Sequence, residues 1–464
     1  MVLNYRMLFA SSLMARCCLA AVGGVCYALA FPPVDGRWLV VPAIAALLLA
    51  LRGLKSRQAL ALGFLHGMMA STLSLHWLWQ LFGPLALALW AMLAAYTAAF
   101  SWMQSRAEMR TSSPARLAVF AAINWSGWEF IRAELSPLCF PWMTPGLALG
   151  PNALLPVIGV YGVGALLVLL AALLSRRIWG YAILLLAVLI AASTMHRKLP
   201  EPKVGYPGTL TVAGVQREGA SLKELLDASR KAPPSVRHVV WPEHALAYDV
   251  HARPEEWAAI QALCKERNIT LTLGTMTPTK DGKDYHNTAI TVDTMGVRGE
   301  HDKAHTVHLF NDGEPGMTAL PVTTTRGAVG TPICFDCDFE GIVRKMTRAG
   351  AEFFLVPSMD AAGWGVWQHK QHAELFRIRA SENARWMLVA ASSGVSQIID
   401  AHGQVHAKLD AMQEGVLTGM MEREQGITIY TRMGWLFPWF LLVCAAWKWI
   451  TLLLPAPPAK NMAP

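Results

Sequence analysis

Apolar positions run almost without interruption from about residue 13 to 194, give way to mixed polarity from 196 to 434, and return in Trp435–Leu454. A helix that crosses a membrane needs about 20 mostly apolar residues. The pattern predicts spans near 13–31, 37–51, 59–82, 84–104, 115–133, 153–175, 178–194 and 435–454, of which the second and seventh are short. Alternate links between these runs carry Arg52, Lys55 and Arg57, then Arg106, Arg110 and Arg116, then Arg176 and Arg177, whereas the links between carry only Arg37 and Arg132. Basic links stay on the cytoplasmic side. The expected topology is therefore a cytoplasmic N-terminus, seven crossings, an external segment 196–434, and an eighth crossing back. Arg6 precedes the first run without a small-residue cleavage site, so the N-terminus reads as a retained anchor and not a removed signal.

The middle segment has a different rhythm. "TLTVAGVQ", "RHVVWPE", "ITLTLGTM", "NTAITVD", "AVGTPICF", "EFFLVPS" and "RWMLVAAS" are β-branched runs of strand length. "SLKELLDASRKA", "RPEEWAAIQALCKERN", "FEGIVRKMTRAG" and "HKQHAELFRIRASENAR" repeat as amphipathic helices. Alternating strands and helices predict a layered α/β domain. The division expected is 1–195 for the first seven spans, 196–434 for the external domain, and 435–464 for the last span and a cytoplasmic tail.

Composition agrees with a membrane protein: 54% of residues are hydrophobic and 16% charged. The formal charge of +8 comes from 40 basic and 32 acidic residues, and many of the basic ones sit in the short links. No basic stripe with interleaved aromatics occurs, which argues against nucleic-acid binding. Of eight cysteines, Cys17, Cys18, Cys26, Cys139 and Cys444 lie in or beside apolar runs as small hydrophobes, and no disulfide framework is evident. Two stretches of the bundle are unusual for simple anchors. "NWSGWEFIRAEL" places Glu129 and Arg132 one turn apart, as a functional pair or an interfacial ion pair. "LCFPWMTPGLALGPN", with Trp142 between Pro141 and Pro145, is a broken aromatic loop on the outer side, a backbone tolerated at membrane depth only where protein or a cavity covers it.

Three reactive groups fall at strand ends, where function gathers in such sheets. Glu243 closes "RHVVWPE", Lys303 follows a strand-like stretch, and Cys334 closes "AVGTPIC" ahead of a helix expected from Asp338. A thiolate nucleophile, a carboxylate base and a cation facing a developing oxyanion form a set suited to acyl transfer. A helix N-terminus and a neighbouring cation would lower the thiol pKa. Cys334 and Cys337 also have the spacing of a redox pair, without thioredoxin-like surroundings. His301, His305 and His308, with His369 or His372, form no recognised metal motif, and no metal or cofactor is expected. Glu374, Arg377, Arg379 and Glu382 read as a solvated or ion-paired helix face, and Asp360 as a loop cap.

"VVWPEHAL", "DKAHTVHL", "GTPICFDCDF" and "LVPSMDAAGWG", in that order, resemble the signature segments of the nitrilase superfamily. With seven spans before them and one after, the chain resembles its membrane-embedded branch, the bacterial apolipoprotein N-acyltransferases. The resemblance implies a multi-pass α-helical membrane bundle carrying an αββα sandwich in the periplasm, above the bacterial inner membrane. It implies Glu243 as general base, Lys303 as oxyanion-stabilising cation and Cys334 as nucleophile, with Glu314 as a second glutamate and Phe335, Asp336, Trp142 and Trp364 in supporting or substrate-facing places. The implied reaction moves a fatty acyl chain from a phospholipid to Cys334, then to the N-terminal diacylglyceryl-cysteine of an apolipoprotein, by a monomeric enzyme. The family's second glutamate usually lies eight residues after the lysine, whereas Glu314 lies eleven after Lys303, and "SMDAAGWG" departs from the family loop. A membrane-anchored amidase with water as acceptor, and a catalytically inert scaffold, are the competing readings.

Overall fold

The structure, a computed structural model, describes residues 12–203 and 205–455. Arg6 and the tail beyond residue 455 lie outside the described residues. The first part is helical: α1 (Leu13–Leu29), α2 (Val40–Leu51), α3 (Ser56–Ser74), a short α4 (Leu78–Phe82), α5 (Leu85–Arg110), α6 (Pro114–Phe130), a short α7 (Pro145–Leu149), α8 (Leu155–Ser175) and α9 (Trp179–Met195). Ser12 caps α1 by accepting the Ala15 N–H, and Ser113 caps α6 ahead of Pro114 at its first position. Close helix contact needs small residues here: a Cβ on Gly67 of α3 would stand 2.6 Å from the Ala94 Cα of α5.

Among the described residues, Leu85–Arg110, Leu155–Ser175 and Tyr430–Leu453 are long and apolar enough to cross a membrane, while Leu13–Leu29, Arg37–Leu51 and Trp179–Met195 are apolar but shorter. The run 59–82, expected as one span, is two helices broken between Ser74 and Leu78. The break persists because side chains satisfy the carbonyls it frees. Gln371 Nε2 donates to the Ser74 carbonyl at 3.0 Å, and Trp90 Nε1 to that of Leu75 at 3.1 Å. Helix α6 runs on as a single π turn, Ile131–Leu135. Glu129 and Arg132 form no ion pair there. Arg132 instead donates to the carbonyls of Phe140 (2.6 Å) and Trp142 (2.8 Å), and so fixes the Pro/Gly-broken loop.

The second part contains, in order, β1 (Thr209–Gln216), α10 (Leu222–Lys231), β2 (His238–Val240), α11 (Pro254–Arg267), β3 (Thr270–Pro278), β4 (Tyr285–Asp293), β5 (Gly296–Asp302), β6 (Val322–Thr324), β7 (Gly327–Gly330), α12 (Gly341–Arg348), β8 (Phe353–Ser358), α13 (Val366–Asn383), β9 (Met387–Ala391), β10 (Ser396–Ile399), β11 (Val405–Leu409) and β12 (Gly415–Glu422), before α14 (Leu436–Leu453) rejoins the bundle. Two six-stranded sheets form, ordered β12-β1-β2-β3-β4-β5 and β11-β10-β9-β8-β7-β6. Side chains alternate along each strand. Leu210 and Val212 of β1 meet Phe353 and Leu355 of β8 between the sheets, while Ala213 and Val215 pack against α10 and α11. Phe354 and Val356 turn the other way, onto α12 and α13. The result is four layers, αββα. Both faces of the central strands are covered, which is why those strands read as near-continuous apolar runs.

Helix α13 seats this sandwich on the bundle. Gly159 has φ of +67° inside α8, and the kink turns the Val160 N–H towards Glu382 Oε1 of α13, 2.8 Å away. A Cβ at Gly159 would strike the Tyr430 ring at 2.4 Å. Arg379 pairs with Glu382 in full burial, and Arg377 pairs with a partly buried Glu374 at 2.6 Å. Of the two readings of this face, solvated or ion-paired, the structure shows the ion-paired one, because α13 is covered by the bundle.

Candidate active site

Glu243, Lys303 and Cys334 come from three different chain segments and meet in one buried place. Strand β2 ends at Val240, so Glu243 sits three residues past it, on a turn laid against β3. That approach needs Gly274, whose Cβ would stand 2.6 Å from the Glu243 Cα. Lys303 directly follows β5. Cys334 lies four residues beyond β7 and begins the 3-10 turn Cys334–Cys337. The α-helix expected from Asp338 starts only at Gly341. Cys334 has φ of +47°, a left-handed conformation that costs a non-glycine residue about 1–3 kcal/mol and persists only where its surroundings enforce it.

Asp336 does the enforcing. It is fully buried, and accepts the backbone N–H of Ile333 (3.1 Å), Ala304 (3.0 Å) and His305 (2.8 Å), with His301 Nε2 at 3.0 Å. One carboxylate therefore binds the cysteine turn to the loop that carries Lys303, the supporting one of the two places the sequence offered it. Burial alone would raise its pKa, but hydrogen bonds from His301 and then His305 bring it well below the usual carboxylate range. A carboxyl that holds its proton less firmly when folded adds stability that is complete above its unfolded pKa, about 3.9, and is lost as pH falls below it. Asp336→Asn is expected to lower stability at pH 7 by about 3 kcal/mol. The gap from the native protein should narrow in thermal melts taken at pH 3; an equal gap at both pH values would refute the assignment.

Lys303 Nζ donates to Glu243 Oε1 and to Asp312 Oδ2, each at 2.7 Å. Asn287 Nδ2 bridges the same carboxylates at 2.7 and 2.8 Å, and the Val307 N–H donates to Asp312 at 2.9 Å. Burial works against the ammonium, but Glu243, then Cys334 and Asp312, hold its pKa well above the ordinary value. Asp312 falls well below its own range: burial opposes this, and His244 and then Lys303 outweigh it. Asp312 thus takes the place expected for Glu314, which is exposed and offers its backbone carbonyl to His286. The signal was in the spacing, since Asp312 lies nine residues after Lys303 and Glu314 eleven. Among the described residues, Glu243, His244 and Asp312 are the one group whose ligand atoms cluster as for a metal, within 4.8 Å of one another. The Lys303 ammonium already supplies the cation between the two carboxylates. The other histidines are dispersed: His301 and His305 lie at Asp336, His308 at Cys139, and His369 at the Ala361 carbonyl.

The Cys334 thiol donates to the Met359 carbonyl at 3.7 Å. Burial, and then the charge of Glu243, push its pKa well above the ordinary thiol value and outweigh Lys303. The expected lowering does not occur at rest, because the thiol is dry and no long helix starts at it. The arrangement holds the buried thiol close enough to feel the charges of both the Glu243 carboxylate and the Lys303 ammonium. Cys337 faces another core, with Val343, Met346 and Phe376, and both cysteines are free. This excludes their pairing in the structure.

Cys334 lines a cavity whose walls come from both parts of the chain. The sandwich contributes Phe335 and Trp364, and the bundle contributes Trp77, Leu81, Phe82 and Trp142. Asp360, read from the sequence as a loop cap, is buried and bound to Gln368 at 3.0 Å and to His372 at 2.7 Å. Isolated acidic and histidine positions gave no hint of that network.

Residues 23–173 match the family described as apolipoprotein N-acyltransferase N-terminal domain, and residues 205–429 match carbon-nitrogen hydrolase. The chain is 27% identical to an apolipoprotein N-acyltransferase of Geobacter metallireducens, covering 92% of this chain and 93% of that one. A relative of the same name from Methylococcus capsulatus is 28% identical, with 90% and 92% covered. Among solved structures, Saccharomyces cerevisiae Nit3, a member of branch 10 of the nitrilase superfamily, is 20% identical, covering 48% of this chain and 93% of that one, with a TM-score of 0.41.

Proposed function

We infer, from a chain homologous to the apolipoprotein N-acyltransferases over both of its parts, that it transfers a fatty acyl chain from a phospholipid to the N-terminal diacylglyceryl-cysteine of apolipoproteins. The observation that carries this reading beyond homology is the cavity at Cys334, walled on one side by membrane helices. A hydrolase of small amides has no use for such a wall, so the amidase reading is the weaker one.

In the proposed mechanism Glu243 accepts the Cys334 proton as Sγ attacks the ester carbonyl of the phospholipid. The oxyanion that forms is balanced by the Lys303 ammonium, held in place by Asp312. Collapse breaks the ester C–O bond. The lysophospholipid oxygen takes the proton from Glu243, and the acyl group remains on sulfur as a thioester. The α-amine of the acceptor then attacks, Glu243 removes its extra proton, and Cys334 leaves as the thiol. Phe335, Trp142 and Trp364 line the space for the acyl chain.

The alternation of basic links supports eight spans with residues 196–434 in the periplasm. Reporter fusions near Gly282 and near Arg110 are expected to report opposite sides of the membrane; cytoplasmic signals from both would refute this orientation. In a strain lacking the protein, mass spectrometry should find lipoprotein N-termini with a diacylglyceryl-cysteine and a free α-amine. Fully N-acylated termini in a strain with no second such enzyme would refute the acyltransferase reading.

A further inference from the structure

His372 lines the cavity at Cys334, yet both of its ring nitrogens are engaged away from it. Nδ1 lies 2.7 Å from Asp360 Oδ1, and Nε2 lies 3.0 Å from Asp338 Oδ1. Each carboxylate is tied to a different neighbour of the thiol. Asp338 ends the turn that Cys334 begins, and its second oxygen accepts the Trp142 indole N–H from the membrane loop. Asp360 follows Met359, whose carbonyl accepts the thiol, and its own carbonyl accepts the Ser392 hydroxyl. The imidazole lies parallel to the Trp142 ring, 5.8 Å between centroids, and rests on Phe376. The titratable groups around it are Asp338 from the cysteine turn, Asp360 from the segment after β8, and His369 on its own helix, which acts on Asp360.

Nδ1 hydrogen-bonds Asp360 and Nε2 makes a charge contact with Asp338, so the imidazole is matched to both carboxylates only when it carries both protons. Burial pulls its pKa down, but Asp360 and Asp338 push it up to about 10. The charge matters for geometry. Without a cation between them, two buried carboxylates repel, and the three pieces they hold (the cysteine turn, the Met359 carbonyl and the Trp142 wall) lose their common anchor.

We propose that His372 is a positioning residue for acyl loading: by bridging Asp338 and Asp360 it holds the Trp142 wall of the cavity in line with the Cys334 thiol. This rests on the acyl-transfer reading, and it adds a link between the membrane loop and the catalytic turn that the Glu243–Lys303–Cys334 set does not contain.

The test uses the full-length protein in detergent micelles, with phosphatidylethanolamine as donor and no amine acceptor. His372→Gln keeps a donor for one carboxylate and removes the charge. Thioester formation should slow by about 10-fold to 10²-fold, the scale expected for a displacement of order 1 Å. Alkylation of Cys334 by iodoacetamide, which needs no Trp142 wall, should stay within a factor of two of native. Trp142→Phe keeps the ring and deletes the N–H to Asp338. It should give the same split, and the double variant should load no more slowly than either single one. In ¹⁵N-histidine spectra of the native protein at pH 8, one ring should carry both protons, where an ordinary histidine is neutral. Native loading by His372→Gln, equal loss of loading and alkylation, additive defects in the double variant, or a neutral His372 at pH 8 would each overturn the proposal. If the native protein alkylates at Cys334 but never loads, the acyl-transfer reading itself falls, and the positioning role falls with it.

Discussion

Lys303→Met is expected to abolish acyl loading of Cys334 and to destabilise the protein in the same step. The ammonium is the cation shared by the buried carboxylates of Glu243 and Asp312, and among the described residues only Asn287 also hydrogen-bonds to both. Removing one member of a buried ion pair leaves its partner unpaired and costs about 3–5 kcal/mol. The lost oxyanion partner adds at least about 10²-fold in rate. Because this variant can fail by unfolding, Glu243→Gln is its control. A glutamine carbonyl still accepts from Lys303, so the fold should survive, while loss of the base should slow loading by about 10²–10⁴-fold. Intact-mass measurement of the acyl adduct, paired with thermal melts, reads both. A Lys303→Met protein that loads at the native rate would eliminate the proposed role of the lysine.

The second large effect concerns the two cysteines. Native protein given phospholipid and no amine should acquire one fatty acyl group, on Cys334, released by hydroxylamine as thioesters are. A diacylglyceryl-cysteine peptide added afterwards should take the group onto its α-amine. Cys334→Ser should show no hydroxylamine-labile adduct. Cys337→Ser should load, because Cys337 packs among Val343, Met346 and Phe376 and does not line the cavity. An adduct that passes only to water would turn the assignment to a hydrolase. If Cys337→Ser were as damaging as Cys334→Ser, the single-nucleophile mechanism would be wrong.

What the sequence disclosed follows from how local each signal is. The apolar runs and the strand–helix alternation are periodic over many residues, so the bundle helices and most of the sandwich strands could be read directly. Glu243, Lys303 and Cys334 stood out because each sits just past a strand-like run. The strands around Glu243 and Cys334 proved shorter than the apolar runs, ending at Val240 and Gly330, because the chain leaves the sheet early to form turns. The break after Ser74 was hidden for a different reason. It is stabilised by Gln371, nearly 300 positions away, and no local pattern records such a contact. The same holds for Asp336, Asp360 and His372, whose roles depend on partners in other segments. Asp312 was closer to view, since its spacing from Lys303 fitted the family better than that of Glu314, but the residue type drew attention to the glutamate.

The cavity at Cys334 draws one wall from each half of the chain, and this bears on the lifetime of the acyl group bound there. A thioester is consumed by whichever nucleophile reaches it first, and water is always the most abundant. Trp77, Leu81, Phe82 and Trp142 form a cavity wall that the sandwich alone does not supply. On the proposed mechanism, the choice between transferring an acyl chain and losing it to water would then rest with this wall as much as with the thiol, the carboxylate or the ammonium. A sandwich cut free of its bundle would keep the three reactive groups and lose the patience to wait for an amine.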